Sequence, residues 1–171
     1  RSSAASDVYK RQVPALYFRA LQGLPAPKPV ASGQMLMIGR RHIRSNNSWM
    51  HNSQRLVKGK GRCNVMIHPD DAKRLAVADG EDVVVSTPSG TITLPAWLCD
   101  DIMPGVISVP HGWGHDREGV LLGVARRVAG QSVNDIIGSN RVEAVTAMAQ
   151  LNGIPVKVEP AKAPRRRKKA G

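Results

Sequence analysis

Aromatic side chains are scarce in this chain of 171 residues, which holds one Phe, two Tyr and three Trp. Its core must therefore come from Val, Ile, Leu, Met and Ala, and valine runs such as Val83 to Val85 favour strands. Long apolar runs are missing too: no stretch approaches the roughly 18 apolar residues that a membrane-crossing helix needs, so no membrane span is expected. Cysteine is limited to Cys63 and Cys99, without C-x-x-C spacing or adjacent ligands, and both are expected as buried free thiols. No Ser, His, Asp triad or nucleophile elbow stands in recognisable context.

Acidic residues are few, 13 against 25 Lys and Arg, for a net charge of +12. Such a balance invites a nucleic-acid reading, but location matters more than size. Lys162, Arg165, Arg166, Arg167, Lys168 and Lys169 carry six of those charges, and Arg1, Lys10 and Arg11 less Asp7 carry two more, so the body keeps only four. A basic nucleic-acid-binding module is thus the lesser alternative, and no nucleic-acid partner is expected, since Trp49 and Trp113 are not interleaved with a continuous basic face.

The ends read differently from the middle. Residues 2–12, Ser-Ser-Ala-Ala-Ser-Asp-Val-Tyr-Lys-Arg-Gln, match codon for codon the in-frame translation of a transposase adapter used in sequencing libraries. Residues 1–12 are therefore expected to be a sequencing scar on a piece of a larger protein. Residues 13–33, with Pro25, Pro27 and Pro29, are expected as a linker from upstream domains, and 160–171 as a disordered basic tail. The folded body is then 34–159.

Within it, Gln34 to Gly39, Asn64 to Ile67, Glu81 to Thr87, Thr91 to Leu98, Val106 to Val109 and Ile154 to Val158 read as short strands. His68-Pro69-Asp70-Asp71 is a helix start, with Pro early and acids in the first turn, and Arg141 to Leu151 is expected as a second helix. Trp97, in an alternating strand, is expected in the core. Mainly β structure with small helices argues for a small barrel rather than a parallel α/β sheet. The Gly-x-Gly patterns Gly59-Lys60-Gly61 and Gly112-Trp113-Gly114 lack the context of a nucleotide fingerprint and read as turns. Glycines between His111 and His115 likewise disfavour a metal pair.

One segment carries the chemistry. Gly39-Arg40-Arg41-His42-Ile43-Arg44-Ser45-Asn46-Asn47-Ser48-Trp49-Met50-His51-Asn52 follows a strand directly and combines forked cationic donors with uncharged amides and hydroxyls. That mixture suits a large anion carrying a heterocycle. For Arg41 and His42, contact and solvation both stay open. A second polar segment, His111-Gly112-Trp113-Gly114-His115-Asp116, follows a strand in the same way.

These pieces, in order, resemble the carboxyl-terminal molybdopterin dinucleotide-binding domain of the dimethyl sulfoxide reductase superfamily, which includes formate dehydrogenases and nitrate reductases. The resemblance covers roughly residues 35–158. It rests on Ile38-Gly39-Arg40 followed by Ser48-Trp49-Met50, His68 to Ala72, Asp79-Gly80, Pro104-Gly105-Val106 before Pro110 to Trp113, and Val133-Asn134 before Asn152-Gly153-Ile154-Pro155-Val156. It implies a double-psi β-barrel of the aspartate decarboxylase-like kind, binding molybdopterin guanine dinucleotide in the bis form with molybdenum or tungsten. Contact is implied for Gly39, Arg40, Arg44, Ser45, Asn47, Ser48 and His51, then His111, Gly112 and Trp113, and lastly Asn134, whose surroundings depart from the family's Asn-x-Leu-Thr pattern. The metal-ligating residue and any iron–sulfur cluster are implied to lie in upstream domains, so no catalytic residue is assigned here. Those domains are the expected partners, with an electron-transfer subunit; the alternative is a stand-alone barrel subunit. A cytoplasmic location is the default expectation.

Overall fold

The computed structural model describes residues 14–24, 26, 29–143 and 145–161. The expected scar at 1–12 and the basic run from Lys162 to Lys169 lie outside the described residues.

Six strands form: β1 (Met35–Arg40), β2 (Val65–Ile67), β3 (Asp82–Thr87), β4 (Gly90–Leu98), β5 (Val106–Pro110) and β6 (Ile154–Pro160). Every second residue is buried on four of them, giving Met35 and Met37, Val83 and Val85, Ile92, Leu94 and Ala96, and Ile154, Val156 and Val158. A two-residue period puts those side chains on one face, and joining the faces around a closed ring removes them all from water. Each fully buried Val, Ile or Met contributes about 1.5–3 kcal/mol, which compensates for the lack of aromatics.

The ring closes in the order β1-β5-β2-β4-β3-β6. Two pairs within it, β1 with β5 and β2 with β4, are parallel, and the others are antiparallel. This is the double-psi barrel that the resemblance implies. Closure leaves no sheet edge for another chain to extend.

Helix α1 (Ala15–Gln22) lies within the stretch expected as linker; it is made of residues such as Ala, Leu, Arg and Gln that form helices readily, and none of them is buried. A four-residue turn, α2 (Gln54–Val57), follows the first polar segment. Helix α3 (Pro69–Leu75) starts as expected, with His68 Nδ1 accepting from the Asp70 N–H at 3.1 Å. Buried Asp71 ties it to the turn before β5 by accepting from the Gly105 N–H at 2.6 Å. Helix α4 (Gly123–Arg127) and a 3₁₀ turn at Val133–Ile136 complete the set. Among the described residues no helix is long and apolar enough to cross a membrane.

Three expectations change. Arg141 to Leu151 is not a helix: Val142 and Ala149 form an isolated antiparallel bridge, and Glu143 accepts from the Val145 and Thr146 N–H groups and the Thr146 hydroxyl. Local side-chain acceptors satisfy the backbone there and compete with helical bonding. Trp97 is not core but 44% exposed, because Ile92, Leu94 and Ala96 take the inward positions of β4. Cys63 and Cys99 are free but only partly buried.

Ile107 is fully buried and stands opposite Met37 on one side and Ile67 on the other. Ile107→Ala is expected to cost about 2–5 kcal/mol, read as a lower urea midpoint, while Thr93→Ala on the outer face of β4 stays within about 0.5 kcal/mol. Equal midpoints for the two variants would contradict this core.

Candidate functional site

Because β1 and β5 are parallel, with Arg40 opposite Pro110, the segments beginning at Arg41 and His111 leave the barrel side by side at one end. Strand β2 runs antiparallel to β5, so the residues leading into it, Lys60 to Asn64, reach that same end. The expected polar segments thus converge, joined by a third that reads in the sequence as no more than a turn.

The loop at 41–52 is folded on itself. Asn46 and Asn47 adopt φ of 40° and 61°, a left-handed conformation that asparagine tolerates better than most residues. The Ser45 carbonyl accepts from the Met50 N–H at 3.1 Å. Asn52 Oδ1 accepts from the Val124 and Ala125 N–H groups at 3.0 and 3.3 Å, which fixes the loop to α4. Gly112, at φ +88°, lies directly against the Asn47 carbonyl, where any Cβ would collide. Gly39 lies as closely against the His111 ring and donates to Asn152 Oδ1 at 2.7 Å. The two loops therefore meet through glycine.

Two clefts open between them. The smaller, of about 380 Å³, is bordered by Arg41, Asn47, Ser48, Gly112 and Asn134. The larger, of about 750 Å³, is bordered by Arg40, His42, Ser45, Lys60, Arg62 and Trp97. His111 and Trp113 line both, so the clefts adjoin at these two side chains.

Positive charge gathers here, with the Asp79 carboxylate also on the border of the larger cleft. Among the ion pairs of the described residues, none involves Arg40, Arg41, Arg44, Lys60 or Arg62. Burial, then the charges of Arg62, Arg40 and Arg44, push the His42 imidazole below its ordinary value. Burial and Arg44 lower Arg62 in the same direction. Arg40 is partly satisfied: its guanidinium donates to the Asn64 carbonyl at 2.9 Å, to Asn64 Oδ1 at 2.7 Å and to the Ser108 carbonyl at 3.2 Å, and lies 5.8 Å from the Trp97 ring centre.

Buried polar atoms are also left over. His51 Nε2, His111 Nε2 and Arg62 Nε are buried with no hydrogen-bond partner. His111 is pushed down to about 4 by burial and then by Arg41, so it is neutral at physiological pH, with one ring nitrogen free to accept. An unpaired buried polar atom costs about 1–3 kcal/mol, and two of these three belong to residues that line the clefts, His111 and Arg62, as suits a polar ligand. The cations outnumber the carboxylates at this end, which favours an anionic ligand.

A sequence model of the family described as "Molydopterin dinucleotide binding domain" matches residues 35–155. The chain belongs to this family. It is 30% identical over 112 residues to a tetrathionate reductase subunit of Salmonella typhimurium, covering 56% of this chain and 11% of that protein. It is 28% identical over 130 residues to the molybdopterin-containing subunit of the arsenate respiratory reductase of Chrysiogenes arsenatis, covering 72% and 15%. Acetylene hydratase from Pelobacter acetylenicus superposes with a TM-score of 0.63 at 20% identity, over 74% of this chain and 18% of that one, a likeness of fold. The chain thus spans a small part of the length of these relatives.

The molybdopterin dinucleotide-binding domain places the expected residues unequally. Asn47, Ser48, His111, Gly112, Trp113 and Asn134 border the smaller cleft, and Arg40 and Ser45 the larger. Gly39 lies beneath His111 and borders neither. Arg44 is exposed, its guanidinium donating to the Arg55 carbonyl at 3.1 Å. His51 is 2% exposed and packs behind Trp113, with ring centres 4.1 Å apart. His115 faces His51, and among the described residues no three His, Cys, Asp or Glu side chains gather as a metal site.

Sequence reasoning missed Lys60, Arg62, Asn64, Trp97 and Leu151 as cleft residues. The available signal was the basic pair within Gly59-Lys60-Gly61-Arg62 just before a strand. Gly112→Ala is expected to combine the strain of a positive φ with the collision against Asn47, costing more than the roughly 1–2 kcal/mol that strain alone costs at Gly119 (φ +82°), where nothing lies within 4 Å. Thermal unfolding of Gly112→Ala and Gly119→Ala compares them, and equal losses would rule out the loop-to-loop contact.

Proposed function

We propose that the 41–52 and 111–116 loops form one wall of a site for molybdopterin guanine dinucleotide. The observation that carries this reading is the set of unpaired cations and orphaned buried nitrogens gathered where two loops meet, in a chain whose family is defined by binding a molybdopterin dinucleotide. Arg41, Lys60 and Arg62 suit phosphate oxygens, and none of them forms an ion pair among the described residues. Asn47, Ser48 and Asn134 offer amide and hydroxyl groups to heterocycle edges, and the neutral His111 accepts or donates without adding charge. Trp113 supplies an aromatic face. Arg40 contributes its charge while holding β1, β2 and β5 together. Gly39, His51 and Arg44 act through their neighbours, by making room for His111, backing Trp113 and bracing the loop.

In this reading the domain gives affinity and orientation within an oxidoreductase, in line with the named reductases it is similar to, and the metal ligand, any iron–sulfur relay and the substrate pocket belong to other domains. When bound, the metal–pterin group, in the bis form with molybdenum or tungsten, supplies the redox chemistry. The substrate is then a small molecule such as tetrathionate, arsenate, nitrate or formate.

Arg41→Ala and Lys60→Ala remove exposed, unpaired charges that the barrel does not need. Each is expected to weaken cofactor retention by roughly ten-fold, the size of one charge-assisted contact, measured as pterin dinucleotide per protein after purification from cells that make the cofactor. Lys157→Ala, an exposed lysine paired with Glu159 on β6, serves as the control. Wild-type retention in both cleft variants would rule out this site.

A further inference from the structure

At the junction of the two clefts two histidines meet, His51 buried behind it and His115 on the border of the smaller cleft. His51 Nδ1 and His115 Nε2 are 2.8 Å apart, with the rings edge to face at 86°. The other face of His51 packs on Trp113, tilted by 37°. His51 comes from the β1 loop, His115 and Trp113 from the β5 loop, so the pair fastens the loops together beside the indole that lines both clefts.

We propose that His51 and His115 are positioning residues: a hydrogen-bonded pair that fixes Trp113 at the junction, so that the shape of both clefts follows the protons the pair holds.

A nitrogen-to-nitrogen hydrogen bond needs one proton between the two facing atoms. With both rings neutral, or with one charged, that condition is met. With both charged, each nitrogen carries its own proton, no lone pair remains to accept and two cations confront each other.

The groups facing His51 are His115, the Arg62 guanidinium and the Gly112 carbonyl. Burial first, then the charge of His115 and that of Arg62, hold His51 below the ordinary histidine value, against the opposing pull of the Gly112 carbonyl. Burial and the neighbouring charges therefore oppose the second step, the proton that would leave both facing rings charged. The neutral form of His51 is favoured in the folded state, so the fastening is complete at neutral pH and is lost as pH falls through the second step.

The test is a pH titration of the whole 171-residue chain, uniformly labelled with ¹⁵N, following the ring nitrogens of His51 and His115 and the Trp113 indole. The Trp113 resonance should hold constant from neutral pH into the first histidine step and move with the second. His115→Gln keeps a hydrogen-bonding group, so it should leave the neutral-pH Trp113 signal close to wild type and remove the acid step. His115→Leu should displace the Trp113 signal at every pH while the Val65 and Ile107 amides keep their barrel positions. A Trp113 signal that ignores the second step, or one unchanged in His115→Leu, would overturn the proposal. If His115→Leu does not fold, His115→Gln decides alone, and an acid step that survives in it overturns the proposal. No ligand takes part, so failure here and failure of the dinucleotide site are separate results.

Discussion

Arg40 stands opposite Pro110 because β1 and β5 run parallel, and that register places the 41–52 and 111–116 loops against each other at one end of the barrel. Most of what the site contains follows from it. A parallel pair brings two carboxyl ends together, and each strand here ends in a polar loop. The contact between the loops is so close that Gly39 and Gly112 have no room for a side chain. Had β5 paired antiparallel to β1, the loops would lie at opposite ends of the barrel.

The barrel also answers an electrostatic problem. Arg40, Arg41, Arg44, Lys60 and Arg62 share one end without forming an ion pair, and burial, then the charges of Arg62, Arg40 and Arg44, lowers His42. Like charges so placed oppose folding, and the buried Val, Ile and Met ring opposes them in turn. Stability comes from the apolar interior and the β5 register, whereas the proposed ligand contacts lie mostly in loops, with Asn52 holding the first loop to α4 and Asn152 and Asn64 holding Gly39 and Arg40 at its start. An anion bound there would relieve the repulsion, coupling binding to stability.

Local features were legible in the sequence, and non-local ones only in part. Most strands showed themselves because a two-residue apolar period needs no knowledge of its neighbour, β5 because it is a short apolar run, and His68-Pro69-Asp70 announced a helix by capping chemistry alone. The loop at 39–52 stood out by its residue types. Trp97 was misplaced because alternation fixes which residues share a face but not which face is inward; Ile92, Leu94 and Ala96 decided that. Residues 141–151 read as a helix, yet the Glu143 carboxylate and Thr146 hydroxyl hold them in turns. Lys60 and Arg62 were overlooked because only the antiparallel pairing of β2 with β5 brings them to the clefts. Likewise the place of His115 shows only when His51, 64 positions away, is found beside it.

The most direct measurement is the structure of this domain within its cofactor-loaded protein. The account predicts dinucleotide phosphate within hydrogen-bond distance of Arg41, Lys60 or Arg62, and a heterocycle against Trp113 and the 47–48 backbone. A dinucleotide seated elsewhere, with the 41–52 and 111–116 loops facing solvent, would contradict it.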